Sequence, residues 1–422
     1  MPTKESKARP FDVIVFGATG TTGLVAAELL TLSVRQIRWA IAGRNATKLS
    51  ALQTRLAGMK PEGKSEECGV VIADVGDKAS LLEMARLTKV VLTTVGPYTA
   101  YGESVIEACI EAKAHYVDIT GEVGWVGKMA TKYNAKAKAA GVCISSFCGY
   151  DCVPTELSLV LANKAAGEGY RLTSAETLVK VDGMKSHGMP KGTVKTFYRL
   201  SGGPLSLIQT FTEGIKYVPS DERLSAIRDM ILWLLPLWSS AARGFTLPNF
   251  MGLVNIPVIH KSAYIHGFGG VTFYDRMPIP SNLFTGYGLF IVLAVYALVS
   301  IAMPAFFVLN LFFSGWFKSK MNSMSPTGTK TATVKCTLEG KASPTDGVGD
   351  TKRISVTSIY PGDPGIYMTC LCANEVAMGI ASASSTVPTG FHTPVTALSA
   401  SVLAERLKTA GVKINVSVRS DS

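Results

Sequence analysis

No two cysteines in this sequence are separated by two residues, and its five histidines show neither H-x-x-x-H nor H-E-x-x-H spacing. Those absences remove the usual zinc ligand sets and predict that no metal is held. The eight cysteines (Cys68, Cys109, Cys143, Cys148, Cys152, Cys336, Cys370 and Cys372) lie mostly among apolar or small residues and read as buried free thiols of a reducing compartment. Charge is scarce as well. Asp, Glu, Lys and Arg make up 17% of the chain against 47% hydrophobic residues, which predicts a large core and excludes global disorder. The net charge of +11 is scattered rather than gathered into runs, so nucleic acid is not the expected partner. A phosphorylated cofactor or an anionic membrane surface accounts for the excess. Met1 to Pro10 is a polar, basic tail without an apolar core, so no signal peptide is read there.

What is present begins at "VIVFGATGTTG", Val13 to Gly23. Four consecutive apolar residues leave no polar face and read as a strand buried in a parallel sheet. Gly17, Gly20 and Gly23 follow at three-residue spacing, and an apolar-periodic helix starts at Leu24. A strand, a glycine turn and a helix in that order form the context of a dinucleotide fingerprint, here one residue longer between the first two glycines than G-x-G-x-x-G. Gly17 permits the tight turn, Gly20 lets the backbone approach a pyrophosphate, and Gly23 lets helix and sheet pack closely. The phosphates would meet the unpaired N–H groups at the helix N-terminus. Thr19, Thr21 and Thr22, between the glycines, are further cofactor-binding candidates.

"IRWAIAGR" predicts a second strand ending at Arg44 instead of an acid. An acid there would bind the ribose 2′-hydroxyl of NAD, whereas an arginine accommodates the 2′-phosphate of NADP, so NADP is the expected cofactor. Lys48 stands one helical turn on as a second cation; the plain alternative for Arg44 is a solvated residue at a helix start. In "GVVIADVGD", Asp74 either meets the adenine or caps the next helix. "KVVLTTVGPYTAYGE" gives a fourth strand, after which Val95, Gly96 and Pro97 border the nicotinamide ribose, with Tyr98 and Tyr101 within reach of a substrate. "AHYVDITGE" and "GVCISSFCGYDCVP" add two more strands. The alternation predicts an α/β chain with a Rossmann-type, doubly wound parallel sheet over residues 11–153. No tyrosine has lysine four residues later, which excludes the Tyr-x-x-x-Lys proton-donor pair common on this fold.

"FGATGTTG", "AGR", "VGPYTAYGE", "YVDITGE" and "GYDCVPTEL" occur in the order and spacing of the saccharopine dehydrogenase-like oxidoreductases, which the chain resembles along nearly its whole length. That family is similar to the trans-acting enoyl reductases of bacterial glycolipid synthesis. The resemblance implies a second, mixed α/β substrate domain over 154–390 and a closing helix and strand over 391–422 that return to the first domain. Leu398, Val402, Leu403 and Leu407 mark one face of that helix, Gly411 ends it, and "KINVSV" alternates like a strand. Where the family has Gly-Phe-Asp-Ser, this chain has Gly149-Tyr150-Asp151-Cys152, which leaves no serine for chemistry there. Asp151 joins Tyr98 and Tyr101 as a catalytic candidate. By resemblance, Gly192 to Thr196 faces the substrate cleft, and His187 nearby reads as a surface-loop histidine.

From Met277 to Phe317 there is no charged residue, and Leu289 to Phe313 is long enough to cross a bilayer. Trp316, Phe317, Lys318 and Lys320 supply an interfacial flank; the alternative is a buried core helix. A single span would put the C-terminus on the far side from the domain it completes. Pro304 allows a kink, so monotopic attachment on the cytosolic face is expected, with Met230 to Trp238 as a second contact. The family's lipid-droplet-associated members imply the same localisation, at a lipid droplet or endomembrane. The expected function is an NADP-linked reductase of a small hydrophobic, lipid-like substrate at such a surface. A non-catalytic dinucleotide-binding scaffold on lipid droplets and a soluble amino-acid dehydrogenase stand as alternatives, and a homodimer is left open.

Overall fold

The structure is a computed structural model that describes residues 9–62, 68–183, 211–235, 237–249, 251–278 and 331–420. Five short strands, β1 (Phe11–Phe16), β2 (Trp39–Gly43), β4 (Thr88–Thr93), β5 (His115–Asp118) and β6 (Cys143–Ser145), are buried almost residue for residue. A strand with no polar face is stable where helices cover both sides of a parallel sheet. With β3 (Gly69–Ile72) and a late strand, β13 (Gly390–His392), they form a seven-stranded parallel sheet in the order β13-β6-β5-β4-β1-β2-β3. The direction of winding reverses between β1 and β4. Ligands of such sheets bind beyond the carboxyl ends of the strands at that reversal.

The second sheet is mixed. Its order is β14-β12-β11-β7-β10-β9-β8, built from β7 (Tyr170–Asp182), β8 (Leu237–Ser239), β9 (Gly244–Pro248), β10 (Thr272–Pro278), β11 (Thr333–Pro344), β12 (Lys352–Pro361) and β14 (Lys413–Ser420). β7 and β10 run parallel and the other pairs antiparallel. The segments "SAETLVKVDG", "TATVKCTLEG" and "RISVTSIY" fall on β7, β11 and β12, whose buried and accessible residues largely alternate.

Two compact units result. One comprises Met1–Thr120, Met129–Val153 and Ile366–Gly411, the other Gly121–Lys128, Pro154–Gly365 and Val412–Ser422. The sequence placed a single return at residue 391, and two elements depart from that. The helix Tyr367–Ser382 packs with the parallel sheet, against β1, β4 and β5, instead of belonging to the second domain. Met368 to Ala381 are all buried, so this helix has no amphipathic period to reveal which layer it joins. The final strand, β14, pairs with β12 of the mixed sheet from Ile359↔Lys413 to Lys352↔Ser420, and β13 is the strand that returns to the parallel sheet. An alternating, largely exposed strand suits an antiparallel edge and has no place in a sheet buried on both faces.

Of the charge-free run only Met277 and Pro278, at the end of β10, are described; Leu289 to Phe317, His187 and Gly192 to Thr196 lie outside the described residues. Among the described residues no helix is long and apolar enough to cross a membrane. Seven of the eight cysteines are buried free thiols, and Cys68 is partly accessible.

Candidate dinucleotide site

The turn after β1 is tied on both sides. Gly17 and Ala18 donate their N–H groups to the Ala42 carbonyl at 2.9 and 3.2 Å, and Thr94 donates its N–H to Phe16 at 2.9 Å. Those bonds bring the carboxyl ends of β1, β2 and β4 together. The three glycines then do different jobs. Gly17 has φ +89°, and a Cβ there would lie 2.7 Å from Val95 Cγ2. Gly23 is pressed onto the turn: a Cβ would stand 2.2 Å from the Gly17 carbonyl oxygen. Gly20 faces open space, where a Cβ would meet Gly17 O alone, at 3.2 Å. It is the N-cap of α1 (Thr21–Leu32) and offers no side-chain cap. The first N–H groups of an α-helix have no intrahelical acceptor, so α1 presents donors and the positive end of its dipole beside that space. Thr19, Gly20 and Thr21 are exposed around it and Thr22 is half-buried.

Arg44 follows β2 directly, and Gly43 lies against Thr19 of the turn. Arg44 and Lys48 are exposed, and neither forms an ion pair among the described residues. Asn45 caps the next helix, α2 (Ala46–Met59), by accepting from Lys48 N–H at 2.9 Å, which fixes where both cations emerge. An arginine and a lysine at the end of β2, whose Gly43 lies against Thr19 of the glycine turn, fit a dinucleotide carrying a 2′-phosphate.

Asp74 is not a helix cap. Its carboxylate accepts from Gly76 N–H at 2.9 Å, shaping a turn, while Asp77 caps α3 (Lys78–Arg86) by accepting from Ala79 N–H. Beyond β4, Val95 packs on Gly17, and Gly96 and Pro97 lead into α4 (Tyr98–Ala112). Tyr98 is buried and donates its hydroxyl to the Thr93 carbonyl at 3.0 Å; Tyr101 is 41% exposed. Asp151 follows β6, and burial of its carboxyl pushes it up to about 6.

Three features here were not singled out from the sequence. Asp118, at the end of β5, accepts from Ser146 hydroxyl at 2.9 Å and from the N–H groups of Thr120 and Phe147 at 3.1 and 3.2 Å. It holds Phe147 in a left-handed conformation, φ +65°, just before Gly149. Burial raises its carboxyl to about 6 despite those donors. The second feature is Thr369, whose hydroxyl accepts from Tyr150 N–H at 3.3 Å where Gly149 leaves room for it. The third is the helix Tyr367–Ser382 itself. Cys370 contacts the Thr22 carbonyl and Asn374 donates to the Ala26 carbonyl, so it runs parallel to α1 and starts beside the same turn. The acid within "YVDITGE" was a visible sign for Asp118, but nothing local marked Thr369.

Residues 13–144, the part that builds this turn and its neighbours, match the saccharopine dehydrogenase NADP-binding domain. The chain is saccharopine dehydrogenase-like. Over 97% of its length it is 28% identical to the human saccharopine dehydrogenase-like oxidoreductase, of which it covers 98%. A lipid droplet localized protein of Caenorhabditis elegans is 40% identical over 157 residues, 36% of each chain. A trans-acting enoyl reductase of Mycobacterium ulcerans (strain Agy99) is 32% identical over 192 residues, 46% of this chain and 45% of that one. The apo saccharopine dehydrogenase (L-Glu forming) from Saccharomyces cerevisiae shares the fold, with a TM-score of 0.56 at 14% identity over 96% of this chain and 99% of that one. The fold shared with that enzyme thus extends across both units, and most of the residues matched by the NADP-binding domain lie in the first.

Proposed function

We propose that this saccharopine dehydrogenase-like chain is an NADPH-dependent reductase of a lipid-like, hydrophobic substrate met at a lipid surface. The observation that carries the cofactor choice is the pair of unengaged cations, Arg44 and Lys48, at the end of β2 beside the glycine turn. When bound, the nucleotide supplies a hydride. The chain's own residues position it: the α1 amides hold the pyrophosphate, Arg44 and Lys48 the 2′-phosphate, and Val95 to Pro97 the wall of the nicotinamide ribose. Tyr98 orients the end of β4, since its hydroxyl proton is directed at Thr93 O. Tyr101, which is accessible, and Asp151, a carboxyl raised to about 6, are left to hold the proton that completes a reduction.

The substrate class rests on the charge-free run from Met277 to Phe317 and on two relatives, one named for lipid droplets and one for enoyl reduction. A hydrophobic substrate partitions into lipid, so an enzyme for it works best attached there. NADPH oxidation, followed with long-chain 2-enoyl thioesters in mixed micelles and with a water-soluble dicarboxylic amino acid, tests the reading. Turnover of the acyl substrate supports it. Turnover confined to the amino acid refutes it, and NADPH binding without turnover of either favours a scaffold.

A further inference from the structure

One helix of the second unit is inside out. In α7 (Arg223–Trp233) and the residues after it, the exposed side chains are Leu224, Ile227, Arg228, Ile231, Leu234 and Leu235, so all but one are apolar. Leu224 is 81% exposed, Ile231 58% and Leu234 52%. Spacings of three and four residues put them on one face. The inward side carries the charge. Asp229 is fully buried, with His260 Nε2 at 3.0 Å and Phe273 N–H donating at 2.7 Å. Glu222, at the entry to the helix, meets His260 Nδ1 at 3.2 Å and accepts from Gly270 N–H at 3.0 Å. At the exit, buried Arg276 donates to the carbonyls of Leu232, Trp233 and Leu235. Rolling the helix to hide its apolar face would strand Asp229 in solvent and His260 without its partner. The polar anchors therefore hold the apolar face outward.

The chain continues that surface. Trp238, 63% exposed, packs edge-on against Phe245 at 5.3 Å between ring centres. Phe245 lies two residues before Leu247, which pairs with Met277 across β9 and β10; Met277 is 46% exposed. From Met277 the chain enters the run that carries no charge up to Phe317. Trp238 and the start of that run thus share the end of one three-stranded ribbon.

We infer that the outward face of α7, with Trp238, is a contact surface for a phospholipid layer. Large apolar side chains exposed as a group mark an interaction surface. A tryptophan with an exposed ring suits the boundary between acyl chains and headgroups, while the one arginine of the stripe, Arg228, turns its guanidinium inward onto Asp229 at 2.8 Å. The described start of the charge-free run, Met277 and Pro278, lies on the strand paired with β9, which also pairs with the strand of Trp238. This surface deepens the lipid-associated part of the proposed function and is independent of its chemistry.

The test uses the full chain carrying Trp316→Phe, with vesicles of phosphatidylcholine and a minor fraction of phosphatidylserine whose acyl chains are brominated. Trp39 and Trp125 are buried, and Trp233 donates its indole N–H to the Asn249 carbonyl. Tryptophan emission should be quenched, and Trp238→Phe should remove the quenched component. The double variant Leu224→Glu/Ile231→Glu should lower vesicle partitioning about tenfold or more while NADPH affinity is unchanged; Leu224→Gln/Ile231→Gln is a milder second pair. Quenching that survives Trp238→Phe, or glutamate variants that bind vesicles like the wild type, overturns the inference. If the double variant instead turns a dimer into a monomer with lipid binding unchanged, the face belongs to a second copy. NADPH titration and turnover are read separately, so a failed reductase leaves this surface standing, and a failed surface leaves the reductase standing.

Discussion

Gly20 and Gly23 are three residues apart, yet their substitutions should fail for opposite reasons. A methyl group at Gly23 would lie 2.2 Å from a backbone oxygen that the turn cannot move. Gly23→Ala is expected to cost about 1–3 kcal/mol of stability and to loosen the turn, seen as a lower urea midpoint. Gly20 meets nothing closer than 3.2 Å, so Gly20→Val should lower the midpoint less than Gly23→Ala yet lose NADPH binding, because its side chain fills the space meant for the pyrophosphate. Normal binding by Gly20→Val would mean that the fingerprint is a turn and nothing more. At this scale the sequence was legible where a residue's role is set by its near neighbours. The glycine turn and the buried β1 could both be read from short stretches. Asp74, read as an adenine contact or a helix cap, was harder, because the cap is taken by Asp77, three residues on. Thr369 could not be read at all, since its partner Tyr150 lies 219 positions away.

Elements were legible when they were amphipathic. The closing helix resolves into Pro394–Leu398 and Ala400–Thr409, with Leu398, Leu403 and Leu407 buried and Val402 exposed. The helix Tyr367–Ser382 was invisible because burial on every side erases the period. α7 misleads in the opposite sense, since its apolar stripe faces outward. What fixes it is the Glu222–His260–Asp229 cluster, which gives a prediction at this scale. Removing the imidazole leaves two carboxylates buried without a shared partner. Asp229 keeps Arg228 at 2.8 Å and the Phe273 N–H, so His260→Ala should cost about 1–3 kcal/mol, measured by urea denaturation, while His260→Gln, which can still donate to one carboxylate, should lose less. A near-neutral His260→Ala would show that α7 is free to roll, and would weaken the case for a fixed apolar face.

For the molecule as a whole, the division between two sheets was legible in outline, because continuous apolar runs and alternating segments demand different sheets. The exchange of β13 and β14 was not, since strand pairing across hundreds of residues leaves no local trace. Charge adds a pH dependence spread over both units. Asp118, Asp151 and Asp275 are all raised from 3.8 to about 6, first of all by burial. A carboxyl whose folded pKa lies above its unfolded value favours folding most below the unfolded pKa, and that contribution is lost as pH rises through the folded one. A shift of this size corresponds to about 3 kcal/mol for a fully buried group. Relative to Asp118→Asn, whose side chain is fully buried, the wild type should therefore lose stability between about pH 4 and 6 and level off above it. A stability difference that does not change with pH would contradict the burial assigned to that carboxyl.

The central claim is that the turn from Gly17 to Gly23, with Arg44 beside it, is an NADP site. Calorimetric titration of the full chain with NADPH and NADH, repeated on Arg44→Ala, tests it most directly. The wild type should bind NADPH more tightly than NADH, and Arg44→Ala should weaken NADPH by about 1.5–3 kcal/mol while barely changing NADH. Equal affinities in the wild type, or an equal loss for both nucleotides in the variant, would contradict it.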